Sequence, residues 1–529
     1  MTDISTQGAI DASRRRLLTA IAAAGGVSLA GCTSDDGNGD GGNGGSGDGG
    51  GGNGGGGTSV SLGIGRGAWD LIPARDTDFD SNKVYSLIYN NLVDITPEGE
   101  YVPQLASDWE LESDTQYVFT LEEGVTFHNG EEFTASDVQY TYDWIETEEN
   151  PRKNYVSAIE DVVVEDDYTV RFDLAHPHAP FLDNIEKVMW PLSEEAVTEH
   201  GEDYNSNPVG TGPYELVEWN SGQNAILRKY DDYWQDDLPN IDEIEFRILP
   251  DESSMISQLE TGSIQAVDQM SPQYVDQVES ANGISVLRTE DVSSGRVDFN
   301  TDVEPLDDRR VRRAIAWAID KEQIVQTVLQ GYGEAGKSIL PSSFAAYNGD
   351  LSDFNHPNGD PQQAQDLLAE AGQENLSLEI ISSTTTQHEQ AATLVQSMLE
   401  DIGVEASVQT LDGSTFWTRE QEGDFEIAVS NWESFADPDE LLYLHHTDGL
   451  NVWNISNDEL DSLLEEQRQT TDQEARQELL DEIQQIIYEE AYSVYTYYPE
   501  RLQGVSDRIE GFEQYPHGSF RSLHEATYE

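Results

Sequence analysis

Basic residues and cysteine are both scarce in this chain. Against 103 aspartates and glutamates the 529 residues include 27 lysines and arginines, a formal net charge of -76. Lysine occurs only at Lys83, Lys153, Lys187, Lys229, Lys321 and Lys337. A surface of that sign repels a phosphate backbone, which excludes nucleic acid as a partner. The acids are spread through segments with apolar periodicity and aromatic residues, so disorder explains them poorly. In dilute buffer such a charge opposes compaction, whereas molar salt shortens the Debye length to about 3 Å and screens it. Cys32 is the single cysteine. It excludes an intrachain disulfide and a cysteine nucleophile elsewhere, and a chain this long can bury enough surface to fold without cross-links.

A long hydrophobic run is missing too. The apolar stretch from Leu17 to Ala30 is interrupted by Thr19, Gly25, Gly26 and Ser28, and is shorter than the roughly 18 residues of a membrane-spanning helix. Ser13-Arg14-Arg15-Arg16-Leu17-Leu18 precedes it and Leu29-Ala30-Gly31-Cys32 follows it. Residues 1–32 thus read as a twin-arginine export signal ending in a lipobox, with Cys32 as the lipidated residue. Residues 33–57 are nearly all Gly, Asn, Asp and Ser, a flexible tether with a reach of roughly 25–30 Å. The charge resembles that of haloarchaeal proteins and describes the solvent, not a ligand.

Beyond Thr58 short strand patterns alternate with helical ones. Tyr117–Leu121 alternates toward a sheet face, His128-Asn129-Gly130 signals a turn, and Asp161–Glu165 with Tyr168–Leu174 predicts a hairpin around Asp166-Asp167. Ile241–Leu249 predicts another strand. Asp307 or Asp308 is placed to cap one helix whose stripe is Val311, Ala314, Ile315, Ala318, Ile319, Val325 and Val328. Pro361 opens a helix that Gly372 closes. Strand Leu378–Ile381, helix Glu389–Ile402 and strand Val404–Gln409 give the βαβ rhythm of an α/β domain.

The blocks Tyr117-Val118-Phe119-Thr120-Leu121-Glu122-Glu123-Gly124-Val125-Thr126-Phe127-His128-Asn129-Gly130 and Phe133-Thr134-Ala135-Ser136-Asp137-Val138 closely resemble the signature of the family 5 ABC solute-binding proteins. Pro208–Tyr214, Phe299-Asn300-Thr301, Asp308–Ile315, Ala318–Lys321 and Asp437-Pro438-Asp439 follow in the family's order. The resemblance covers nearly everything after residue 60. It implies an α/β, two-lobe, type II periplasmic-binding-protein-like clamp with no cofactor and no catalysis. Lobe I would comprise 58–299 and 491–529, with an extra subdomain at 94–207; lobe II would comprise 300–490. A peptide-like small solute would be captured between them for an ABC permease, from a lipid anchor on the outer face of the cytoplasmic membrane.

The same resemblance makes Arg66, Gly67, Trp69, Phe299, Asn300, Trp432, Ser434, Phe435 and Asp437 the candidate ligand contacts. Peptide-binding members place an aspartate where alignment puts Ser434, so an oligosaccharide- or nickel-binding member is the alternative. His128 reads as a turn residue, and the adjacent His445 and His446 do not share a helix face. A surface hydrolase or structural protein is the other class considered. Gly331–Ser338 fits the phosphate-loop pattern by letter, but a helix pattern precedes it and Pro341 follows, the wrong context for phosphate binding. His388-Glu389 lacks the second histidine of a zinc protease. Asn375 and Asn454 stand in glycosylation sequons.

Overall fold

The computed structural model describes residues 58–67, 69–76, 79–147, 149–351, 357–433 and 436–529. The signal, Cys32 and the tether lie outside the described residues. Gly57–Glu146 with Asn150–Glu529 forms one compact unit; the remainder, Met1–Gly56 with Thr147–Glu149, lies almost wholly outside the described residues.

One strand organises the unit. Ser493–Ser506 is buried over nearly its whole length, and its two halves belong to different parts of one twelve-stranded sheet. Glu500–Ser506 pairs antiparallel with Ile284–Glu290, and Val505 with Ala266. Ser493–Tyr497 pairs antiparallel with Ser293–Phe299. The first half of the sheet continues through Ser59–Ile64, Glu243–Ile248, Asn224–Lys229 and Tyr214–Asn220; the second continues through Ile427–Glu433, Ser377–Ser383 and Glu405–Leu411. These are the two lobes. Two antiparallel segments cross between them: one is interrupted at Asp291–Val292, between Ile284–Glu290 and Ser293–Phe299, while Ser493–Ser506 runs through unbroken and changes partners at Pro499–Glu500. The strand pairing thus sets the crossings before residue 299 and after residue 490, because Ser293–Phe299 belongs to the second lobe's sheet. At the crossing Asp291 N donates to Pro499 O at 3.0 Å, and the buried pair Asp291–Arg501 closes at 3.1 Å. Gly295 lies against the Tyr497 ring, where a Cβ would come within 2.3 Å of it; only glycine lets the strands approach so closely.

The hairpin Ile159–Asp166 and Thr169–Leu174 forms where the alternation predicts it, within a four-stranded sheet that includes Ala106–Ser113 and Gln116–Leu121. Phe119 and Phe172 of that sheet, with Phe181 packed on them from the helix Phe181–Val188, share one continuous core with Val60, Leu62 and Phe246 of the first lobe. The inserted region is therefore packed into lobe I. In the second lobe the predicted βαβ unit is present as Ser377–Ser383, helix Thr386–Asp401 and Glu405–Leu411, with the two strands parallel. The single helix expected after Asp308 is two. Asp308 caps Arg309–Ala318, Ile319 turns extended, and Asp320 accepts from Gln323 N to cap a new helix, Lys321–Val328. A second carboxylate at the N-cap spacing competes with helix continuation and wins.

The turn Gly210–Gly212 shows how a short motif fixes a long-range contact. His128 Nε2 bonds Gly212 O at 3.0 Å, while Gly210 N donates to His128 Nδ1 at 3.3 Å. Burial holds that imidazole neutral, with its pKa lowered to about 4, which suits one donating and one accepting nitrogen. A Cβ on Gly210 would lie 2.1 Å from Ile88 O. Gly210→Ala should therefore destabilise the protein by about 1–3 kcal/mol, measured as thermal unfolding in molar salt. An unchanged transition would show that the turn can move away from Ile88.

Candidate functional site

A cavity of about 460 Å³ lies where the lobes meet. The first lobe lines it with Asn82 and Tyr85 of helix Phe79–Ile88, Arg152 and Tyr155 near the short helix Lys153–Val156, and Glu186 and Lys187 of helix Phe181–Val188. Trp190, His517 and Arg521 complete that side, and Trp417, Glu440 and Leu450 face them from the second lobe. Aromatic rings form much of the wall, with Tyr85 and Trp190 edge to face at 5.3 Å between centroids. Such rings offer broad apolar contact with few rotatable bonds.

The charges are arranged in pairs. Lys187 Nζ lies 2.9 Å from Asp183 and 2.6 Å from Glu440 across the cleft. Tyr155 donates its hydroxyl to the same Glu440 at 2.9 Å. Burial alone would lower the Lys187 pKa, but Asp183 and Glu440 outweigh it and hold the ammonium well above its usual range. Arg521 pairs with Asp94 and reaches Glu186 at 3.5 Å. Burial and the Asp183 carboxylate push the Glu186 carboxyl up to about 8, so it is largely protonated at neutral pH. Arg152 donates to Asp76 O and, at 2.9 Å, to Lys187 O. The buried indole N–H of Trp190 has no hydrogen-bond partner among the described residues, and it belongs to a residue of the cavity wall. A buried donor left unpaired is costly; the Trp190 ring borders the cavity, while its nitrogen is itself covered by protein.

The lobes also meet beyond the cavity. Asp437 N donates to Asp183 Oδ1 at 3.3 Å, and Ala179 N donates to Arg468 O at 2.6 Å. The cleft is closed.

The residues expected from the sequence fall elsewhere. Arg66 is exposed, pairs with Asp80 at 2.8 Å, and lines a separate, more polar interlobe cavity of about 370 Å³. Gly67 packs against Ile248, and Trp69 is 4% exposed, stacked on Trp219 and edge-on to Phe246 in the first lobe's core. Phe299 belongs to the second lobe's core, and Asn300 donates to Gly423 O and Phe425 O. Trp432 covers the buried Arg296 guanidinium at 5.0 Å and lies 5.2 Å from Trp417, one ring behind the cavity wall. Both oxygens of Asp437 are engaged by Arg476, each at 2.7 Å, and Asp439 is held in the same way by Arg468. Ser434 and Phe435 lie outside the described residues. None of the described candidates lines the 460 Å³ cavity.

The alternative motifs are absorbed into the fold. Gly333–Ala335 is a short strand on the crossing strand, and Lys337 N and Ser338 N both donate to the Tyr498 hydroxyl, so the segment cradles a tyrosine. His445 stacks on Trp453 at 4.1 Å and His446 on Tyr443 at 4.7 Å. Asn454 donates its amide to Asn300 Oδ1 at 3.1 Å.

Residues 100–451 match the family model for bacterial extracellular solute-binding proteins, family 5. The chain belongs to this family. The dipeptide-binding protein of Escherichia coli K12 is 26% identical over 481 residues, covering 84% of this chain and 89% of the relative. Heme-binding protein A of Haemophilus influenzae is 26% identical over 471 residues, covering 82% and 85%. The crystal structure of a Pseudoalteromonas dipeptide-binding protein in complex with Met-Leu superposes with a TM-score of 0.78 at 27% identity, covering 89% of this chain and all of that one. The fold is accordingly the two-lobe, mixed α/β clamp of the type II binding proteins, and the family binds solutes and does not turn them over. Among the described residues no helix is long and apolar enough to cross a membrane.

Proposed function

We propose that this protein is the lipid-anchored, solute-capturing component of an ABC importer, and that its solute is peptide-like. The observation that carries the reading is the closed cavity whose wall is contributed by both lobes. Contacts from both sides exist only when the lobes are together, so a solute that makes them favours the closed form, which a permease can select. Backbone amides and termini suit a wall of aromatic faces, cations and a neutral carboxyl. The anchor at Cys32 and the tether 33–57 would keep the clamp beside the membrane, and the surface charge suits a high-salt exterior.

A thermal-shift screen in molar salt against peptides, oligosaccharides and nickel tests it. A solute at a hundred times its Kd stabilises the native state by about 2.7 kcal/mol. A stabilising oligosaccharide with no stabilising peptide would overturn the peptide assignment; catalytic turnover of any of them would overturn the binding role. Replacing Trp190 by alanine removes an aromatic face of the wall, so affinity should fall roughly tenfold or more. Unchanged affinity by calorimetry would detach the indole from the solute.

A further inference from the structure

The 460 Å³ cavity has a neighbour of about 250 Å³, and Pro151, Tyr155, Lys187, Glu440 and Leu450 line both. Residues that face two cavities stand between them. Three of the five are tied into one bridge, in which Glu440 of the second lobe accepts from the Tyr155 hydroxyl at 2.9 Å and pairs with Lys187 at 2.6 Å. We propose that this bridge is a size filter: it divides a longer site in two and admits a short solute to the larger compartment while excluding a longer one from the smaller.

The smaller compartment is equipped to receive a solute. Its wall includes His178, whose side chain is 7% exposed. Asn184 Nδ2 lies 3.0 Å from His178 Nε2; an amide N–H donates there, which puts the ring proton on Nδ1. That Nδ1 is buried and has no hydrogen-bond partner among the described residues. Each compartment thus has in its wall one ring whose donor nitrogen is covered and unpaired, Trp190 in the larger and His178 in the smaller. The bridge stands between a solute in the larger compartment and the His178 ring, and its opening costs Glu440 the Tyr155 hydroxyl and Lys187, whereas Lys187 keeps Asp183 at 2.9 Å on its own helix.

This inference rests on the peptide reading above, and the test separates the two. Calorimetry in molar salt would compare Phe-Ala, Phe-Ala-Ala and Phe-Ala-Ala-Ala on the folded, tether-bearing protein and on Glu440→Ala. The wild type is expected to prefer the dipeptide, and Glu440→Ala to raise the tetrapeptide-to-dipeptide affinity ratio at least tenfold. Adding His178→Ala, which removes the ring from the wall of the smaller compartment, should lower the ratio again by threefold or more. Glu440→Gln keeps an acceptor for Tyr155 and the side-chain volume; it should shift the ratio in the same direction by a smaller factor, and it decides the matter if the alanine variant does not fold. A ratio that moves less than threefold in a folded variant, or a wild type that takes both lengths equally, overturns the filter. A wild type that binds none of the three peptides overturns the peptide reading, and the filter with it.

Discussion

Replacing Arg476 by methionine is expected to cost about 3–5 kcal/mol of stability at neutral pH, the usual penalty for stripping one partner from a buried ion pair. The fork of Arg476 holds both oxygens of Asp437 at 2.7 Å, and the two side chains are 13% and 9% exposed. Burial alone would raise the Asp437 pKa, but Arg476 outweighs it and holds the carboxyl below its usual range. That sign fixes the pH dependence. A lowered folded pKa gives stability that is present above the unfolded value of about 3.9 and lost as pH falls through the folded one. Without Arg476 the stranded carboxylate prefers a proton, so the deficit against wild type should be largest near pH 7 and narrow toward pH 4. Thermal unfolding in molar salt at both pH values reads it. Arg476→Lys should rescue only part, since an ammonium cannot span two oxygens. Asp437→Asn in the methionine background should recover stability by removing the orphaned charge. A deficit under about 1 kcal/mol, set against that expectation, or one that does not change with pH would show that the pair is not what holds the loop.

The pair also gives the Asp437-Pro438-Asp439 motif a physical meaning. Its two aspartates are ligands for two arginines on the neighbouring helices Asp458–Gln469 and Gln473–Glu490. They pin the segment that presents Glu440 to the first lobe. The motif was legible in the sequence as a family marker, but its partners are 29 and 39 residues away, beyond any local pattern.

The other elements divide on the same line, between local signals and long-range contacts. Strand alternation at Tyr117–Leu121 and the helix limits at Pro361 and Gly372 are local signals, and the fold honours them. The missed break at Asp320 was local too, a capping carboxylate inside an otherwise helical stripe. The cavity was not legible, because its wall is assembled from ordinary positions on helices and loops between residues 82 and 521. Trp69 was expected at the cleft from its place after the first strand, and tertiary packing against Trp219 and Phe246 took it inside. One signal was available. In a chain this poor in basic residues each cation is uncommon, and Lys187, Arg152 and Arg521 all line the cavity. A chain under strong pressure toward acid keeps a cation inside only where a fixed partner or a bound group needs it.

Glu186→Gln is expected to do the reverse of most core substitutions and stabilise the protein above neutral pH. Glu186 is 8% exposed, and burial together with Asp183 raises its carboxyl to about 8. An acid whose folded pKa is raised contributes stability that is complete below the unfolded value of about 4.3 and is lost as pH rises through the folded one. Wild-type stability should therefore decline from pH 5 to pH 8. The glutamine keeps an acceptor for Asn91 and Arg521 and has no proton to lose, so it should match wild type at pH 5 and exceed it by about 2–4 kcal/mol at pH 8. Some slope should survive in the variant, because burial and nearby carboxylates hold Asp183 up at about 7 against Lys187. Equal slopes for the two proteins would mean that Glu186 is already ionised, held so by Arg521. The consequence for capture follows from the same proton. While Glu186 is neutral, Arg521 is offset by Asp94, and Arg152, which donates to backbone carbonyls, leaves the first-lobe side of the cavity with an excess of positive charge, which favours an anionic end of the solute. Affinity for such a solute should fall as pH rises past 8 in the wild type and stay level in Glu186→Gln.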